Sequence, residues 1–260
     1  MKSRIQSYLR FAASKQRDTQ QIGSFLATFS VHSDNPFLNY AIPDDDAVPS
    51  FADVTALITA YKQRSRIPRL EYITQLAPSV ESALLAAGFT VEGRLPLMTC
   101  IPGSQQNLPV PESIELIIPT SDAELLATIA AQNEAYGGES APTDDAVARI
   151  KASVAAGQIV VLARVASTGE AVGAGICTVP NNGMTEIAAI GVRAPFRRRG
   201  VAGALTTRLV CEAFNKGVTV AFLMAAHEAE ERIYIRAGFS KIGEILHISF
   251  QNASDCLLNV

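Results

Sequence analysis

The sequence predicts a mixed α/β protein (an α+β mixed sheet) with two similar domains, each built around a central sheet flanked by helices. The predicted elements of the second half follow the order β-α-α-β-β-β-α-β-α-β. The first half repeats part of this order: the tripeptide Ala87-Gly88-Phe89 recurs as Ala237-Gly238-Phe239, an offset of 150 positions. With 48% hydrophobic and 18% charged residues, the 260-residue chain can bury sizeable cores.

The second half begins with a short apolar strand at 116–119 and two helices. Ser121 and Glu124 have the spacing of a capping box, which predicts the start of the first helix, and Gly137-Gly138 predicts its end. Pro142-Thr143-Asp144 opens the second helix, which we expect to end near Gly157.

Three strands are predicted next, at 159–165, 171–179 and 186–193, and Asn181-Asn-Gly183 indicates a tight hairpin between the last two. The helix after them shows apolar residues every four positions from Val201 to Ala213, and Gly217 has the position of a helix-terminating glycine. A strand at 219–224, a helix at 229–237 and a strand at 241–250 complete the domain.

The repeat covers more than the tripeptide. At the same offset, segments of the first half align with segments of the second: 22–28 with 172–178, 36–43 with 186–193, 50–64 with 200–214 and 70–73 with 220–223. The alternative is that any two α/β halves show such an order of strands and helices without duplication. Duplication predicts domains at 1–104 and 112–260, joined by the Pro-rich segment 102–111.

The segment from Val192 to Leu205 has the features of an anion site. It reads as a strand end, a turn rich in Arg and Gly, and a helix start. Backbone N–H groups and the positive end of a helix dipole then point at one place, which suits a pyrophosphate. The basic run Arg197–Arg199 stands in a chain of net charge -3, which favours a compact anion.

These motifs resemble those of the GNAT superfamily of acetyl-CoA-dependent N-acetyltransferases. The family pattern Arg/Gln-x-x-Gly-x-Gly/Ala is matched by Arg197-Arg-Arg-Gly-Val-Ala202, and its Tyr-x-x-x-Gly-Phe helix end by Tyr234 to Phe239. His227 stands where the family has Asn, and Glu230 where it has Ala. The resemblance covers 114–250.

The resemblance implies an opening between the strands at 186–193 and 219–224. Pantetheine would pair there with backbone of Ile190 and Val192, and the amides of 198–204 would hold the pyrophosphate. The implied acetyl-CoA contacts are Ile190, Gly191, Val192, Arg197, Arg198, Arg199, Gly200, Val201, Ala202, Gly203, Ala204 and His227.

Tyr234 resembles the family's general acid, which protonates the leaving thiolate. The alternative is a core tyrosine on an amphipathic helix. Glu186 is the best candidate for the base that deprotonates the amine, and the alternative is a carboxylate at the solvated start of a strand. His227 is a weaker base candidate, and Glu139 lies in the connection that shapes the acceptor pocket in the family.

The first half lacks this chemistry. The offset aligns 47–52, without arginine or glycine, with 197–202, and aligns Leu84 with Tyr234. The first half is therefore predicted to be a degenerate, truncated copy without the CoA loop. The predicted function is acetyl transfer from acetyl-CoA to a small-molecule or peptide amine in a ternary complex. The alternatives are a non-catalytic acyl-CoA-binding module and a transferase of longer acyl chains.

Composition excludes other classes. The four cysteines show no metal-ligand spacing, so we expect no metal and a reducing cytoplasm. One small basic cluster without interleaved aromatics argues against nucleic acid. No apolar run approaches the roughly 18 residues of a membrane span, and the basic N-terminus lacks the apolar core of a secretory signal. A monomer and a homodimer are both compatible with the sequence.

Overall fold

A computed structural model describes residues 1–15, 17–138 and 141–250. The chain divides into two compact units. Unit 1 is Met1–Leu97 with the described residues from Ile242 onward, and unit 2 is Met98–Lys241. The duplicated-domain boundaries inferred from the repeat, 1–104 and 112–260, stay a prediction.

The seven helices of the described residues are α1 (Lys2–Ser14), α2 (Phe51–Gln63), α3 (Pro78–Ala86), α4 (Asp122–Ala135), α5 (Asp144–Ala155), α6 (Val201–Asn215) and α7 (Glu228–Arg236). The strands are β1 (Arg17–Ile22), β2 (Phe25–Ser30), β3 (Ala41–Pro43), β4 (Arg69–Ile73), β5 (Phe89–Cys100), β6 (Ile114–Ile117), β7 (Ile159–Val165), β8 (Ala171–Cys177), β9 (Met184–Val192), β10 (Val220–Met224) and β11 (Ser240–Phe250). From β6 onward the order matches the predicted one, which confirms the mixed fold with flanking helices.

Local signals explain several of these boundaries. Ser121 and Glu124 form the capping box at the start of α4, as predicted. Thr143 caps α5, and Asn182 and Gly183 both have positive φ in the hairpin before β9. Within the described residues, no helix combines the length and the apolar composition that a bilayer crossing requires.

Unit 1 contains a mixed sheet with the order β1-β2-β3-β4-β11-β5. Strands β1, β2 and β3 pair antiparallel, β3 pairs parallel with β4, and β11 pairs antiparallel with β4. The segment 36–43, which the repeat aligns with the predicted strand at 186–193, forms a strand only at Ala41–Pro43. A 3₁₀ turn occupies Pro36–Leu38, because the Asn35 side chain accepts the Phe37 N–H and Pro36 favours the first turn position.

The strands of unit 2 follow the order β10-β9-β8-β7-β6. Strands β6 to β9 pair antiparallel, and β9 pairs parallel with β10. Helix α6 packs on β7, β8 and β9, while α4 packs on β8 and β9. The buried face of α6 includes Val201, Leu205, Leu209 and Ala213, which are the residues that the apolar periodicity predicted.

Strands β9 and β10 separate after a short parallel contact. Their pairing ends where Phe222 faces Glu186, although both strands continue. Past this point the edge of β9 toward β10 is open. Arg193 N–H donates to the Val172 carbonyl, so in this antiparallel ladder the neighbouring Val192 directs its N–H and carbonyl away from β8.

A β-bulge lies in the open part of β9. Ala174 pairs with Gly191 and Ile176 with Ala188, so Ala189 and Ile190 together oppose Gly175. Ala189 has φ +52°, a left-handed conformation that is uncommon for alanine. The bulge re-aims the backbone of β9 beside the opening, which is where the candidate site lies.

The Pro-rich segment 102–111, predicted to be a linker, belongs to unit 2 and is bonded to other residues of that unit. Gln106 N–H donates to the Ala237 carbonyl, and Thr207 Oγ1 donates to the Gln106 carbonyl at 3.1 Å. A Cβ on Gly238 would lie 2.1 Å from the Ser104 carbonyl oxygen. We call residues 104–108 the strap; its backbone is bound to α6 and to the end of α7.

Candidate active site

A cavity of about 620 Å³ in unit 2 lies between the open edge of β9, the start of α6, helix α7 and the end of α4. Most of the predicted cofactor residues line it: Ile190, Gly191, Val192, Arg197, Arg198, Gly200, Val201, Ala202, Gly203 and His227. Residues that the motifs did not single out for this wall also line it: Ala135, Tyr136, Phe196, Glu230, Ile233 and Arg236. Arg199, Ala204, Glu186 and Tyr234 are outside this lining.

The start of α6 forms a nest of backbone donors. Arg198 and Gly200 have φ values of +60° and +89°, and Gly200 is the N-cap without a side-chain cap. Within the described part of the chain, the amides of 198–203 meet no protein acceptor. The Ala204 amide differs, because it donates to the Gly200 carbonyl as the first intrahelical bond. The free donors suit an anion.

The arginines near the nest differ in whether other groups of the chain already hold their guanidinium groups. Arg197 is engaged, since its guanidinium donates to the carbonyls of Val192 and Ala135, both at 2.9 Å. Arg199 lies over the Phe196 ring, 5.6 Å from its centroid. Arg193 pairs with Glu134 and Glu170, which raises the pKa of its guanidinium against the opposing effect of burial. Arg197 therefore shapes the turn, and Arg198 remains at the cavity wall.

Helix α4 covers two carbonyls of the bulge. Gln132 Nε2 donates to the Ala189 carbonyl at 2.9 Å, and Tyr136 Oη donates to the Ile190 carbonyl at 3.2 Å. The end of α4 also packs tightly on Gly191, where a Cβ would meet Ala135 Cβ at 2.8 Å. Glycine at 191 thus allows α4 to approach the open strand.

Tyr234 lies on α7 and is only 8% exposed. Its ring is tilted against Phe239, with 6.2 Å between the centroids. Burial, then the negative charge of Glu230, raise the pKa of the Tyr234 phenol well above its usual value. The phenol is therefore protonated at neutral pH.

Of the other predicted catalytic or acceptor-side residues, one lines the cavity. Glu186 stands on β9 where the pairing with β10 ends, and its backbone bonds to Thr178. His227 is the N-cap residue of α7 and lines the cavity. Glu139 lies outside the described residues.

Glu230 and Tyr136 are site residues that motif reasoning did not assign. Glu230 Oε2 accepts the Ala226 N–H at 2.8 Å, so the carboxylate is held at the cavity wall. The pKa of Tyr136 is raised mainly because its hydroxyl is shielded from water, and the negative charge of Glu230 raises it further. Tyr136 directly precedes the Gly-Gly helix stop, but only the packing of α4 on β9 brings it to the cavity. In the described ranges, His, Cys, Asp and Glu side chains form no group of three that could hold a metal.

Comparison with known proteins agrees with this geometry. The family model for the acetyltransferase (GNAT) family matches residues 126–239, which span the cavity, the α6 nest and Tyr234. A search of curated protein sequences found no match. Residues 126–239 therefore form a GNAT acetyltransferase domain.

Solved structures show the same fold over a larger part of the chain. A GCN5-related N-acetyltransferase from Kribbella flavida has a TM-score of 0.80 and 23% identity, with 98% of each chain covered. One from Sphaerobacter thermophilus has a TM-score of 0.65 and 18% identity, covering 88% of this chain and 78% of the other. A tandem GNAT protein from the clavulanic acid biosynthesis pathway has a TM-score of 0.65 and 11% identity, covering 94% and 88%.

Proposed function

We propose that the protein transfers an acetyl group from acetyl-CoA to a primary amine by direct attack in a ternary complex. The observation that carries this proposal is the nest at the start of α6. Its free amides at 198–203 and the left-handed Gly200 face a cavity that continues to the open edge of β9. A pyrophosphate that carries an extended pantetheine arm matches this combination, because the nest can bind the pyrophosphate and the strand edge can bind the arm.

The nest would bind the pyrophosphate through amides 198–203, with Arg198 adding positive charge. Ala204 contributes to the helix rather than to the ligand, since its amide is already bonded. The arm would lie along β9, where Val192 presents its N–H to the opening. The thioester would then reach the bulge at Ala189 and Ile190, where a strand N–H can polarise its carbonyl.

Tyr234 is the proposed general acid. The amine nitrogen attacks the thioester carbon, the C–N bond forms, and the C–S bond breaks as the tetrahedral intermediate collapses. The Tyr234 phenol gives its proton to the departing thiolate. A phenol suits this step because its usual pKa of about 10 exceeds the roughly 8.5 of a thiol, and burial raises it further.

Glu186 is the proposed base for the amine proton. It lies on β9 at the point where the strands separate. The Glu186 side chain is outside the cavity lining, so a water molecule would carry the proton between them. The acceptor is a small-molecule or peptide amine.

The first half is proposed to be a degenerate copy that binds no CoA. At the start of α2, Ser50 Oγ accepts the Asp53 N–H, and Asp53 Oδ2 accepts the Ser50 N–H at 2.8 Å. These bonds lower the pKa of Asp53, so the helix start carries its own negative charge. This capping box occupies the place that a phosphate would take. The solved structure from the clavulanic acid biosynthesis pathway is likewise a tandem GNAT protein.

The test is turnover with a panel of primary amines and acetyl-CoA, followed by release of free thiol. We expect at least one amine to accelerate thiol release, and the Gly200→Glu variant to lose both turnover and acetyl-CoA binding. The second candidate is a non-catalytic acyl-CoA-binding module, favoured by the position of Tyr234 and Glu186 outside the cavity lining. Binding that is lost in Gly200→Glu, with no amine-dependent thiol release, would support this second candidate.

A further inference from the structure

The resemblance implies that pantetheine pairs with the backbone of Ile190 and Val192, and the carbonyls of both residues already have donors from this chain. Arg197 Nε donates to the Val192 carbonyl at 2.9 Å, and Tyr136 Oη donates to the Ile190 carbonyl at 3.2 Å. An arm that forms a strand-like ladder with β9 needs acceptors as well as donors along that edge. The arm must therefore share or displace at least one of these side chains.

The two side chains are held very differently. The Arg197 guanidinium makes two bonds of 2.9 Å, to Val192 and to Ala135, and so joins the turn to the end of α4. Tyr136 makes one longer side-chain bond. It is 64% exposed and follows the last residue of α4, directly before Gly137, which has φ +76°. Moving Tyr136 breaks one neutral hydrogen bond, whereas moving Arg197 breaks two charged ones.

We propose that Tyr136 is a positioning residue that occupies the Ile190 carbonyl and is displaced by the pantetheine arm of the cosubstrate. This inference rests on the proposed function. Tyr136 thereby lowers affinity for the arm without affecting the nucleotide end, which binds at the α6 nest on the other part of the cavity wall. It also discriminates against ligands that lack an amide able to replace its hydroxyl at Ile190.

The displacement of Tyr136 leaves the rest of the α4 end in place. Tyr136 belongs to the same end of α4 as Gln132 and Ala135, which contact β9 at Ala189 and Gly191. Because Gln132 keeps its own bond to the bulge, the Tyr136 side chain can leave Ile190 while α4 stays in place. The movement is thus confined to one side chain next to the reacting carbonyl.

The experiment compares two ligands by calorimetry. Acetyl-CoA carries the arm, and adenosine 3',5'-bisphosphate carries only the nucleotide end. We expect Tyr136→Phe to bind acetyl-CoA about two- to tenfold more tightly, because no internal hydrogen bond of ordinary strength has to be broken. The affinity for the bisphosphate should not change.

Tyr61→Phe is the matched control. It also removes a tyrosine hydroxyl bonded to a backbone carbonyl, that of Thr28 at 3.4 Å, but in unit 1. We expect no change in affinity for either ligand. Equal acetyl-CoA affinity in Tyr136→Phe and the wild type would overturn the inference while leaving the proposed function intact. Absence of acetyl-CoA binding to the wild type would overturn both.

Discussion

Gly200 has a conformation that few other residues adopt, and its N–H is one of the free donors. Its φ is +89°, and a Cβ there would meet no atom within 4 Å. Gly217, at the other end of α6, has φ +83° and equally open surroundings. Adding a side chain should therefore cost about the same at both glycines. Only Gly200 belongs to the nest of free donors.

This pair separates ligand binding from stability. Gly200→Ala and Gly217→Ala should each cost about 1 kcal/mol of unfolding free energy, the usual cost of left-handed alanine. Only Gly200→Ala should weaken acetyl-CoA binding, because strain there re-orients the donors of the nest. Denaturant titration and calorimetry on both variants check this. Equal loss of affinity in both would mean that the nest is not the binding site.

Tyr234 allows a second test, of the proposed general acid. Tyr234→Phe should lower turnover roughly 10²-fold, the lower range for loss of a general acid, with acetyl-CoA affinity unchanged. The raised pKa of Tyr234 keeps the phenol protonated above its usual range. The wild-type pH–rate profile should therefore show no descending limb below about pH 10. Unchanged turnover in Tyr234→Phe at all pH values would show that the acid is a different group.

The strap gives Gly238 a structural role. Gly238 ends α7 with φ +97°, and a Cβ there would lie 2.1 Å from the Ser104 carbonyl oxygen and 2.9 Å from Gln105 Cα. Gly88 is its equivalent in the repeat and has φ +93°, but its Cβ would meet only Phe250, at an ordinary 3.5 Å. The same tripeptide thus has a crowded environment in unit 2 and a roomy one in unit 1.

We therefore expect unequal effects from the same substitution. Gly88→Ala should cost about 1 kcal/mol, from backbone strain alone. Gly238→Ala should cost about 2 kcal/mol more, since the strap has to move and lose its bonds to Ala237 and Thr207. Thermal and denaturant unfolding of the two variants measure the difference. Equal destabilisation would indicate that the strap adjusts without cost.

Elements with strong local signals could be predicted from the sequence. The order of unit 2 from β6 onward follows from capping residues, turn glycines and apolar periodicity, and the motif residues at 190–192 and 200–203 do line one cavity. The strap could not be predicted, because Pro, Ser and Gln are typical of linkers and its bonds are to distant residues. Tyr136 and Glu230 were missed for the same reason, since tertiary packing alone brings them to the opening.

Units 1 and 2 differ at the start of one helix. In unit 2, α6 begins with a left-handed glycine, no acidic residue and free amides. In unit 1, α2 begins with Ser50 and the ionised Asp53, which bond to the helix's own donors. A helix start that is already capped and negative opposes a phosphate by both hydrogen bonding and charge.

The chain should accordingly bind one acetyl-CoA, at α6. Calorimetry should give a stoichiometry of one per chain, and Gly200→Glu should reduce it to no detectable binding. The double variant Ser50→Ala/Asp53→Ala, which removes the α2 cap, should leave the stoichiometry at one and lower the melting temperature, since a capping box stabilises its helix by about 1 kcal/mol. Residual binding in Gly200→Glu would locate a second site elsewhere in the chain. If acidic substitutions in unit 1 then abolished this residual binding, the second site would lie in unit 1. That result would contradict the proposal that the first half binds no CoA.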